Sequence, residues 1–312
     1  MAGTRCASGR YTTPEVVMSV IPYSASRTDL FFPCQRGEFF PPSPAYSEAA
    51  MCAELCRLAY CRTSTDFAFD RTKIQEVLSR VGFSTASFFE AQGSLNHRGT
   101  HGFLAHNEIR NLAVLTFRGT DKDDPSDLTD DADFPLEPWK DGGRVHRGFA
   151  RALNEVRPQL DEVRTDIESR LLVTGHSLGA AIATLLASAW NPVFHNRIEL
   201  YTFGSPRVGD LAFATTIPAE KNHRYVDCCD AVTRVPLPIM GYEHVGKPLY
   251  IDCHGAITVS PSDGFVNSDR VNATKQYLLH YFGRDGTVPV RDLADHAPIN
   301  YVSAVTGTRA PL

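Results

Sequence analysis

Short apolar runs and longer apolar stripes alternate along most of the chain. The runs predict β-strands at residues 102–105, 112–117, 171–174, 198–203, 223–227 and 249–252. Apolar or small residues at helical spacing predict helices at residues 46–61, 72–81, 149–167 and 179–190. Strands that alternate with helices are typical of α/β proteins, in which helices cover a mostly parallel sheet. The ligand site of such a sheet lies beyond the carboxyl ends of its strands.

Local features refine three of these elements. The polar residues 106–111 separate two strands, which can therefore pair as a hairpin. Pro158 lies inside the long amphipathic helix at 149–167 and predicts a kink or a split there. The helix at 179–190 is apolar on all sides, so we expect it to be buried.

The two ends of the chain lack this regular pattern. Residues 1–45 carry six prolines and no sustained apolar period, which predicts an N-terminal arm, packed or flexible, without chemistry of its own. We expect residues 46–305 to form a single α/β domain, followed by a tail at 306–312. A chain of 312 residues is long enough to bury a substantial core.

Composition and charge exclude some classes of function. The formal net charge is -5 and no basic field is present, so nucleic acid is not an expected partner. The apolar runs are shorter than the roughly 20 residues of a membrane span. The apolar residues 16–21 are few and end at Pro22, so we expect no Sec signal peptide.

The cysteines are also consistent with a cytoplasmic protein. The eight cysteines do not form the evenly dispersed pairs of a disulfide framework, so we expect reduced thiols and a cytoplasmic location, with non-Sec export left open. Cys52 and Cys56 are one helical turn apart, but no further metal-ligand motif accompanies them. Buried packing residues are therefore the favoured interpretation, and no metal is expected.

The strongest chemical signal is Gly-His-Ser-Leu-Gly at 175–179, between a predicted strand and a predicted helix. This order is the one that a nucleophile elbow requires, with Ser177 as the nucleophile. Gly175 and Gly179 lack a Cβ and allow the strand and the helix to approach closely. The alternative is a chance match in a turn, because the pattern fixes only three residues.

A serine nucleophile needs an oxyanion hole, which stabilises the charge that develops on the substrate. In hydrolases with an elbow, one donor is the N–H of the residue after the nucleophile, here Leu178. The second donor comes from a loop at an earlier strand end, where Thr120 is the natural candidate. A threonine at a strand end is usually only a turn residue, so position alone is a weak argument for Thr120.

The nucleophile also needs an acid and a histidine, which follow it along the chain on this fold. Asp227 and Asp230 are candidate acids, and Asp230 is favoured because it lies further into the loop. Of the four downstream histidines, His244 and His254 are weaker candidates. Position along the chain does not separate the other two, which are His280 and His296.

Residues 121–134 contain seven aspartates and one lysine. They do not match an EF-hand calcium loop, since Ala132 stands where the template has glutamate and the expected glycine is missing. A solvated acidic loop is therefore the favoured interpretation.

Taken together, these motifs resemble the class 3 lipases, the α/β-hydrolase family that includes fungal triacylglycerol lipases. The matching segments are Phe-Arg-Gly-Thr at 117–120, Val-His-Arg-Gly-Phe at 145–149, Gly-His-Ser-Leu-Gly at 175–179, Phe-Gly-Ser-Pro-Arg-Val-Gly at 203–209 and Asp-x-Val-x-Arg-Val-Pro at 230–236. The resemblance covers residues 46–303 and implies an α/β-hydrolase fold.

The resemblance also implies roles for individual residues. It assigns Ser177 as nucleophile, Asp230 as acid, and Thr120 with Leu178 as oxyanion hole. For the base, the family often ends with Asp-His-x-x-x-x-Tyr, which residues 295–301 match and which favours His296. Some fungal members instead carry the histidine just before Tyr-Phe-Gly, as His280 does here.

The implied function is a serine carboxylic-ester hydrolase that cleaves acylglycerols or related esters through an acyl-enzyme, without a metal or organic cofactor. The alternatives are a phospholipase A1, a short-chain esterase, or a catalytically silent hydrolase fold used for binding. In the family, the segment after the Arg-Gly turn commonly forms an apolar-faced lid, whereas here it is the acidic stretch 121–134. We therefore expect weak or no interfacial activation and at most transient contact with lipid surfaces. The oligomeric state stays open.

Overall fold

A computed structural model describes residues 20–41, 46–63, 68–91, 99–120, 135–195 and 197–310. Its strands are β1 (Ile21–Pro22), β2 (Thr85–Glu90), β3 (His101–Asn107), β4 (Leu112–Phe117), β5 (Leu136–Pro138), β6 (Arg144–His146), β7 (Arg170–His176), β8 (Ile198–Phe203), β9 (Asn222–Asp227), β10 (Pro248–Ile251), β11 (Ile257–Val259) and β12 (Arg309–Ala310). Its helices are α1 (Arg27–Phe31), α2 (Glu48–Leu58), α3 (Arg71–Arg80), α4 (Arg147–Arg164), α5 (Leu178–Phe194), α6 (Leu211–Ala214), α7 (Asp263–Tyr281), α8 (Arg291–Ala294) and α9 (Pro298–Val305).

The main sheet of the described residues has eight strands in the order β11-β10-β9-β8-β7-β4-β3-β2. The five neighbouring strands β10, β9, β8, β7 and β4 run parallel. β3 and β4 pair antiparallel with Leu104 opposite Leu115, so the predicted hairpin is confirmed. The mostly parallel sheet of the sequence prediction is therefore present, with antiparallel strands at both edges.

Alternating side chains of the central strands pack into two separate hydrophobic cores, one on each face of the sheet. On β4, Leu112 and Val114 pack on one face of the sheet, in a cluster that includes residues of α2 and α9. Ala113 and Leu115 pack on the other face, with α4 and α5. Because successive side chains of a strand point to opposite faces, a continuous apolar run is what a sheet covered on both sides requires.

Of the kink or split predicted at Pro158, the split does not occur, because α4 continues through this residue as one helix. Val156 and Leu160 are fully buried on either side of the proline, next to Leu153 one turn earlier. Packing of this apolar stripe against the sheet offsets the backbone hydrogen bond that a proline cannot make. The all-apolar helix predicted at 179–190 is confirmed as the buried α5.

Both ends of the described chain pack against the body of the protein. β1 pairs in parallel with β12, so that Ile21 lies beside Arg309. Arg309 forms a buried ion pair with Asp227 at the end of β9. These contacts attach both terminal segments to the sheet; the division into arm, domain and tail at residues 45 and 305 stays a prediction.

The expectation that all cysteines are reduced is wrong for one pair, since Cys34 and Cys61 form a disulfide. Their separation of 27 residues along the chain hid the pairing from sequence analysis. Cys52 and Cys56 are free and buried, as predicted for packing residues. No helix among the described residues combines the length and apolar character that a bilayer crossing needs.

Replacing both Cys34 and Cys61 by serine should lower the free energy of unfolding by about 2–4 kcal/mol, because the bond restricts the unfolded chain. Denaturant unfolding with and without dithiothreitol measures the effect. The reductant should destabilise the wild type and leave the double variant unchanged. Equal sensitivity of both proteins would contradict the assignment.

Candidate active site

The predicted site residues lie at one edge of the sheet. Thr120 follows β4, Ser177 follows β7 and Asp230 follows β9, so all three lie beyond the carboxyl ends of parallel strands. His296 lies between α8 and α9 and reaches the same edge, where it contacts Asp230. This is the location expected for the ligand site of an open α/β sheet.

Ser177 occupies a sharp turn between β7 and α5. Its backbone has φ 59° and ψ −128°, a conformation that a non-glycine residue adopts only when its surroundings impose it. Its N–H donates to the carbonyl of Phe203 at 3.0 Å, which attaches the turn to β8. A Cβ on Gly175 would lie 2.2 Å from the carbonyl oxygen of Gly179, so the close approach of strand and helix requires glycine. The turn therefore has the geometry of a nucleophile elbow.

The loop after β4 passes directly over the elbow. A Cβ on Gly119, the residue before Thr120, would lie 3.0 Å from Ser177 Cβ, so this loop packs against the serine. Thr120 Oγ1 is buried and has no hydrogen-bond partner among the described residues. Leu178 is the first residue of α5, so its N–H has no partner within the helix. The Thr120 hydroxyl and the Leu178 N–H are therefore candidate donors on either side of the elbow.

Asp230 and His296 form a buried hydrogen-bonded pair. His296 Nδ1 lies 2.9 Å from Asp230 Oδ2 and 3.0 Å from Oδ1. Burial raises the pKa of Asp230, but the adjacent His296 and the hydrogen bonds from His296 and Tyr301 outweigh it, so this pKa lies below its usual value. An ionised carboxylate only accepts hydrogen bonds, so Nδ1 is the donor to Asp230 and Nε2 is the ring nitrogen that remains for proton transfer.

Further groups hold the Asp230 carboxylate in place. The Tyr301 hydroxyl donates to Oδ2 at 2.6 Å, and the Val232 N–H donates to Oδ1 at 2.9 Å. Gly204, with φ +60°, lies so close that a Cβ there would be 2.8 Å from Oδ2. The carboxylate therefore has little freedom to move.

His176, inside the Gly-x-Ser-x-Gly motif, supports the backbone of His296. Its Nε2 donates to the carbonyl oxygen of His296 at 2.8 Å, and its Nδ1 accepts from the Tyr60 hydroxyl at 2.8 Å. Burial, followed by the proximity of His296, lowers the pKa of His176 well below its usual value. A neutral His176 therefore connects α2's end, the elbow and the loop of His296 through hydrogen bonds.

The neighbouring Asp295 fixes the same loop from its other side. It accepts hydrogen bonds from the Tyr23 hydroxyl at 2.7 Å and from the Cys229 N–H at 2.9 Å, and it pairs with Arg291. Cys228, Cys229 and Asp295 lie close enough together to suggest metal ligands. Because these donors already occupy both oxygens of Asp295, the group is explained without an ion.

Sequence analysis did not assign Tyr23 or Tyr60 to the site. Each lies in a segment distant from the elbow along the chain, and neither carries a local motif. Only their contacts in the fold identify them. Tyr301, by contrast, is the last residue of the Asp-His-x-x-x-x-Tyr motif, which was the available signal for it.

The other candidates lie elsewhere. Asp227 pairs with Arg309 and not with a histidine. His280 is exposed on α7, where Nδ1 contacts the carbonyl of Gln276, and His244 is bonded to the carbonyl of Thr233. The acidic stretch 121–134 lies outside the described residues, so the expectations for a calcium loop or a lid remain those of the sequence.

Comparison with known proteins agrees with this geometry. Residues 114–240, which contain the elbow and Asp230, match the family model for lipase (class 3). A secreted mono- and diacylglycerol lipase A from Penicillium cyclopium is 34% identical over 172 residues, which span 53% of this chain and 56% of that protein. A secreted mono- and diacylglycerol lipase from Malassezia globosa is 28% identical over 283 residues, which span 78% of this chain and 84% of that protein. Over residues 114–240 the chain is therefore similar to the class 3 lipases.

The solved structures identify the fold. A mutant form of MDLA from Penicillium cyclopium superposes with a TM-score of 0.54 at 25% identity, covering 79% of this chain and 94% of that one. The fold is an α/β-hydrolase fold, as the motifs predicted. The chain spans about half the length of the first curated relatives that it matches.

The expected cytoplasmic location is wrong. The Penicillium and Malassezia relatives are named secreted lipases, and this finding contradicts the cytoplasmic expectation. The Cys34–Cys61 disulfide agrees with this correction, because such bonds persist in oxidising compartments. The prediction failed because it relied on cysteine spacing and on the short apolar run at 16–21.

Tyr301→Phe tests the hydrogen bonds to Asp230. It removes the donor to Oδ2 and the acceptor for the Asp227 N–H, which lies 3.1 Å from the hydroxyl. At pH 7 the free energy of unfolding should fall by about 2–3 kcal/mol. Because the pKa of folded Asp230 is lowered, its contribution to stability is present above the usual aspartate pKa and is lost as the pH falls through the folded value. The difference between variant and wild type should therefore shrink in acid.

Urea unfolding over a pH series measures this difference. Tyr281→Phe is the matched control, since no hydrogen bond of the Tyr281 hydroxyl is found in the described part of the chain. A loss for Tyr301→Phe that stays constant across the pH series would contradict the proposed coupling to Asp230.

Proposed function

We propose that the protein is a serine carboxylic-ester hydrolase that cleaves acylglycerol esters through an acyl-enzyme. The observation that carries the proposal is the buried Asp230–His296 pair, 2.9 Å apart, at the same sheet edge as a serine in a strained elbow. This combination provides the nucleophile, the base and the group that orients the base. A catalytically silent fold used only for binding would not need it.

The first half of the reaction forms the acyl-enzyme. His296 Nε2 takes the proton from Ser177 Oγ while the oxygen attacks the ester carbonyl. Asp230 accepts from Nδ1, keeps the ring in this tautomer and stabilises the imidazolium. The tetrahedral intermediate then collapses, His296 returns the proton to the leaving alcohol, and the acyl group stays on Ser177. In the second half, water takes the place of the alcohol and releases the carboxylic acid.

The oxyanion of the tetrahedral intermediate forms beside Thr120 and Leu178. The unpaired Thr120 hydroxyl and the Leu178 N–H supply two hydrogen-bond donors there. A buried donor without a partner is costly in the resting protein, and it gains a partner when the oxyanion develops. This explains why the fold tolerates an unsatisfied hydroxyl at Thr120.

The substrate class follows from the relatives. Two of them are named mono- and diacylglycerol lipases, at 34% and 28% identity, and we propose partial acylglycerols as substrates here. These substrates have one or two acyl chains and free hydroxyls. The acyl chain length is a property of the pocket, and a rate series over ester chain lengths would measure it.

Ser177→Ala should abolish labelling by a fluorophosphonate probe, since this probe reacts only with an activated serine. The hydrolysis rate of a p-nitrophenyl ester should fall by about 10⁴-fold or more. Wild-type labelling of a folded Ser177→Ala protein would overturn the assignment of the nucleophile.

His296→Ala and His280→Ala form a matched pair that tests the base. The first should lower kcat for the same ester by about 10⁴-fold, because the proton of Ser177 then has no acceptor. The second removes an exposed ring on α7 and should leave kcat within about twofold of wild type, as is usual for surface substitutions. The reverse ranking would identify His280 as the base.

A further inference from the structure

Helix α7 presents an apolar stripe on the outside of the protein. Val271, Leu278 and Leu279 lie on this side of the helix, Phe282 follows its last residue, and Lys275 lies among them. The spacing of 4, 3, 1 and 3 residues keeps all five on one side of the helix. We refer to these five residues as the α7 stripe. Val271, Leu279 and Phe282 are 69%, 74% and 79% exposed, so their side chains protrude into solvent.

The opposite side of α7 attaches the helix to the protein, and these contacts do not involve the α7 stripe. Ala273 and Tyr277 are buried there, and the Tyr277 hydroxyl donates to the carbonyl of Val288 at 2.6 Å. Arg270 Nε donates to the carbonyl of Cys228 at 2.8 Å. The helix is therefore fixed by its inner face, and packing among the described residues does not account for the apolar residues of its outer face.

Basic residues accompany the stripe. It forms one wall of a groove of about 920 Å³, which is lined mainly by apolar atoms and also by Arg234, Arg270 and Lys275. Asp292 is the acidic residue of the lining, and it pairs with Arg234. The groove is therefore locally positive on a chain whose formal net charge is -5. Cations beside protruding apolar side chains complement an anionic amphiphilic surface.

The groove adjoins the loops of the candidate active site. Its other wall includes Cys229, which precedes Asp230, and Asp292 on α8, which lies four residues before His296. A surface bound at the α7 stripe would thus lie on the side of the molecule where these two loops meet.

We propose that the α7 stripe is a docking surface for an anionic lipid surface. The proposal rests on the hydrolase function proposed above, because docking brings the enzyme to a lipid phase that holds its substrate. Insertion of Leu279 and Phe282 into the interface removes apolar area from water, while Lys275 within the stripe attracts anionic head groups and Arg270 and Arg234 line the adjoining groove. A symmetric dimer through this face would instead place the basic residues of two copies near one another.

The test is sedimentation of the full chain with sucrose-loaded vesicles of phosphatidylcholine, with and without phosphatidylglycerol. The Ser177→Ala protein is used, so that no lipid is hydrolysed. It should bind the vesicles that contain phosphatidylglycerol more tightly, and added salt should weaken that binding. Leu279→Asp combined with Phe282→Asp should weaken it by at least about tenfold, because two inserted side chains become charged.

Matched variants separate the stripe from other exposed apolar residues. Ile109→Asp changes a residue that is 95% exposed in the turn before β4, at the opposite end of the sheet, and should leave vesicle binding unchanged. Lys275→Glu should lower the affinity for anionic vesicles by about fivefold or more. Vesicle binding by the Leu279→Asp, Phe282→Asp protein at wild-type affinity would overturn the proposal. The proposal would also be overturned if the wild type were a dimer that bound no vesicles and the double substitution converted it to a monomer.

Hydrolysis rates of the same variants, measured with Ser177 restored, distinguish a failure of the docking proposal from a failure of the proposed function. Leu279→Asp with Phe282→Asp should hydrolyse a dissolved p-nitrophenyl ester at the wild-type rate and an emulsified acylglycerol at least about tenfold more slowly. If the Ser177→Ala protein retained esterase activity, the proposed function would fail while vesicle binding could still be measured. If vesicles did not bind although Ser177→Ala abolished activity, the docking surface alone would fail.

Discussion

The buried carboxylate of Asp230 is the group on which the arrangement of the site depends. Taking a carboxylate out of water is costly unless hydrogen bonds and an opposite charge compensate for it. Here His296, Tyr301 and the Val232 N–H all donate to its two oxygens. These donors come from the loop after β9, the loop before α9 and α9 itself. The requirement to satisfy one charge therefore brings the three segments into a single arrangement.

The parallel sheet explains why these segments meet. The strands β4, β7 and β9 end at the same edge, so residues far apart along the chain emerge side by side. The polar shell behind them is also continuous, since His176 contacts both Tyr60 and the backbone of His296. The order of the site thus comes from strand register and from buried hydrogen bonds, which hold side chains in fixed positions.

Local pattern predicted most of the scaffold. The strand at 198–203 was predicted with the bounds that the structure has, and the helices at 46–61 and 72–81 are shorter by a few residues or shifted by one. The elbow could be predicted because strand, motif and helix are contiguous. His296 could be separated from His280 only through the family resemblance, because the contact with Asp230 is a property of the fold.

Interactions between distant residues account for what the sequence did not reveal. The Cys34–Cys61 bond, the Tyr60–His176 contact and the Tyr23–Asp295 contact each join segments that share no periodic pattern. Pro158 does not divide its helix for a related reason, since burial of the apolar residues around it outweighs the local preference of proline. Local rules describe elements well, whereas tertiary contacts decide how those elements end and meet.

The hydrogen bond from Tyr23 to Asp295 spans 272 residues of sequence and has a consequence for the order of folding. During synthesis the amino-terminal part of the chain emerges first, so Tyr23 cannot contact Asp295 until nearly all of the sheet has been synthesised. For the same reason β1 cannot pair with β12 before the end of synthesis. Closing such a long loop is slow because its entropy is lost before the contact forms. The loop that carries His296 therefore receives this support only after the segment that contains the elbow has been synthesised.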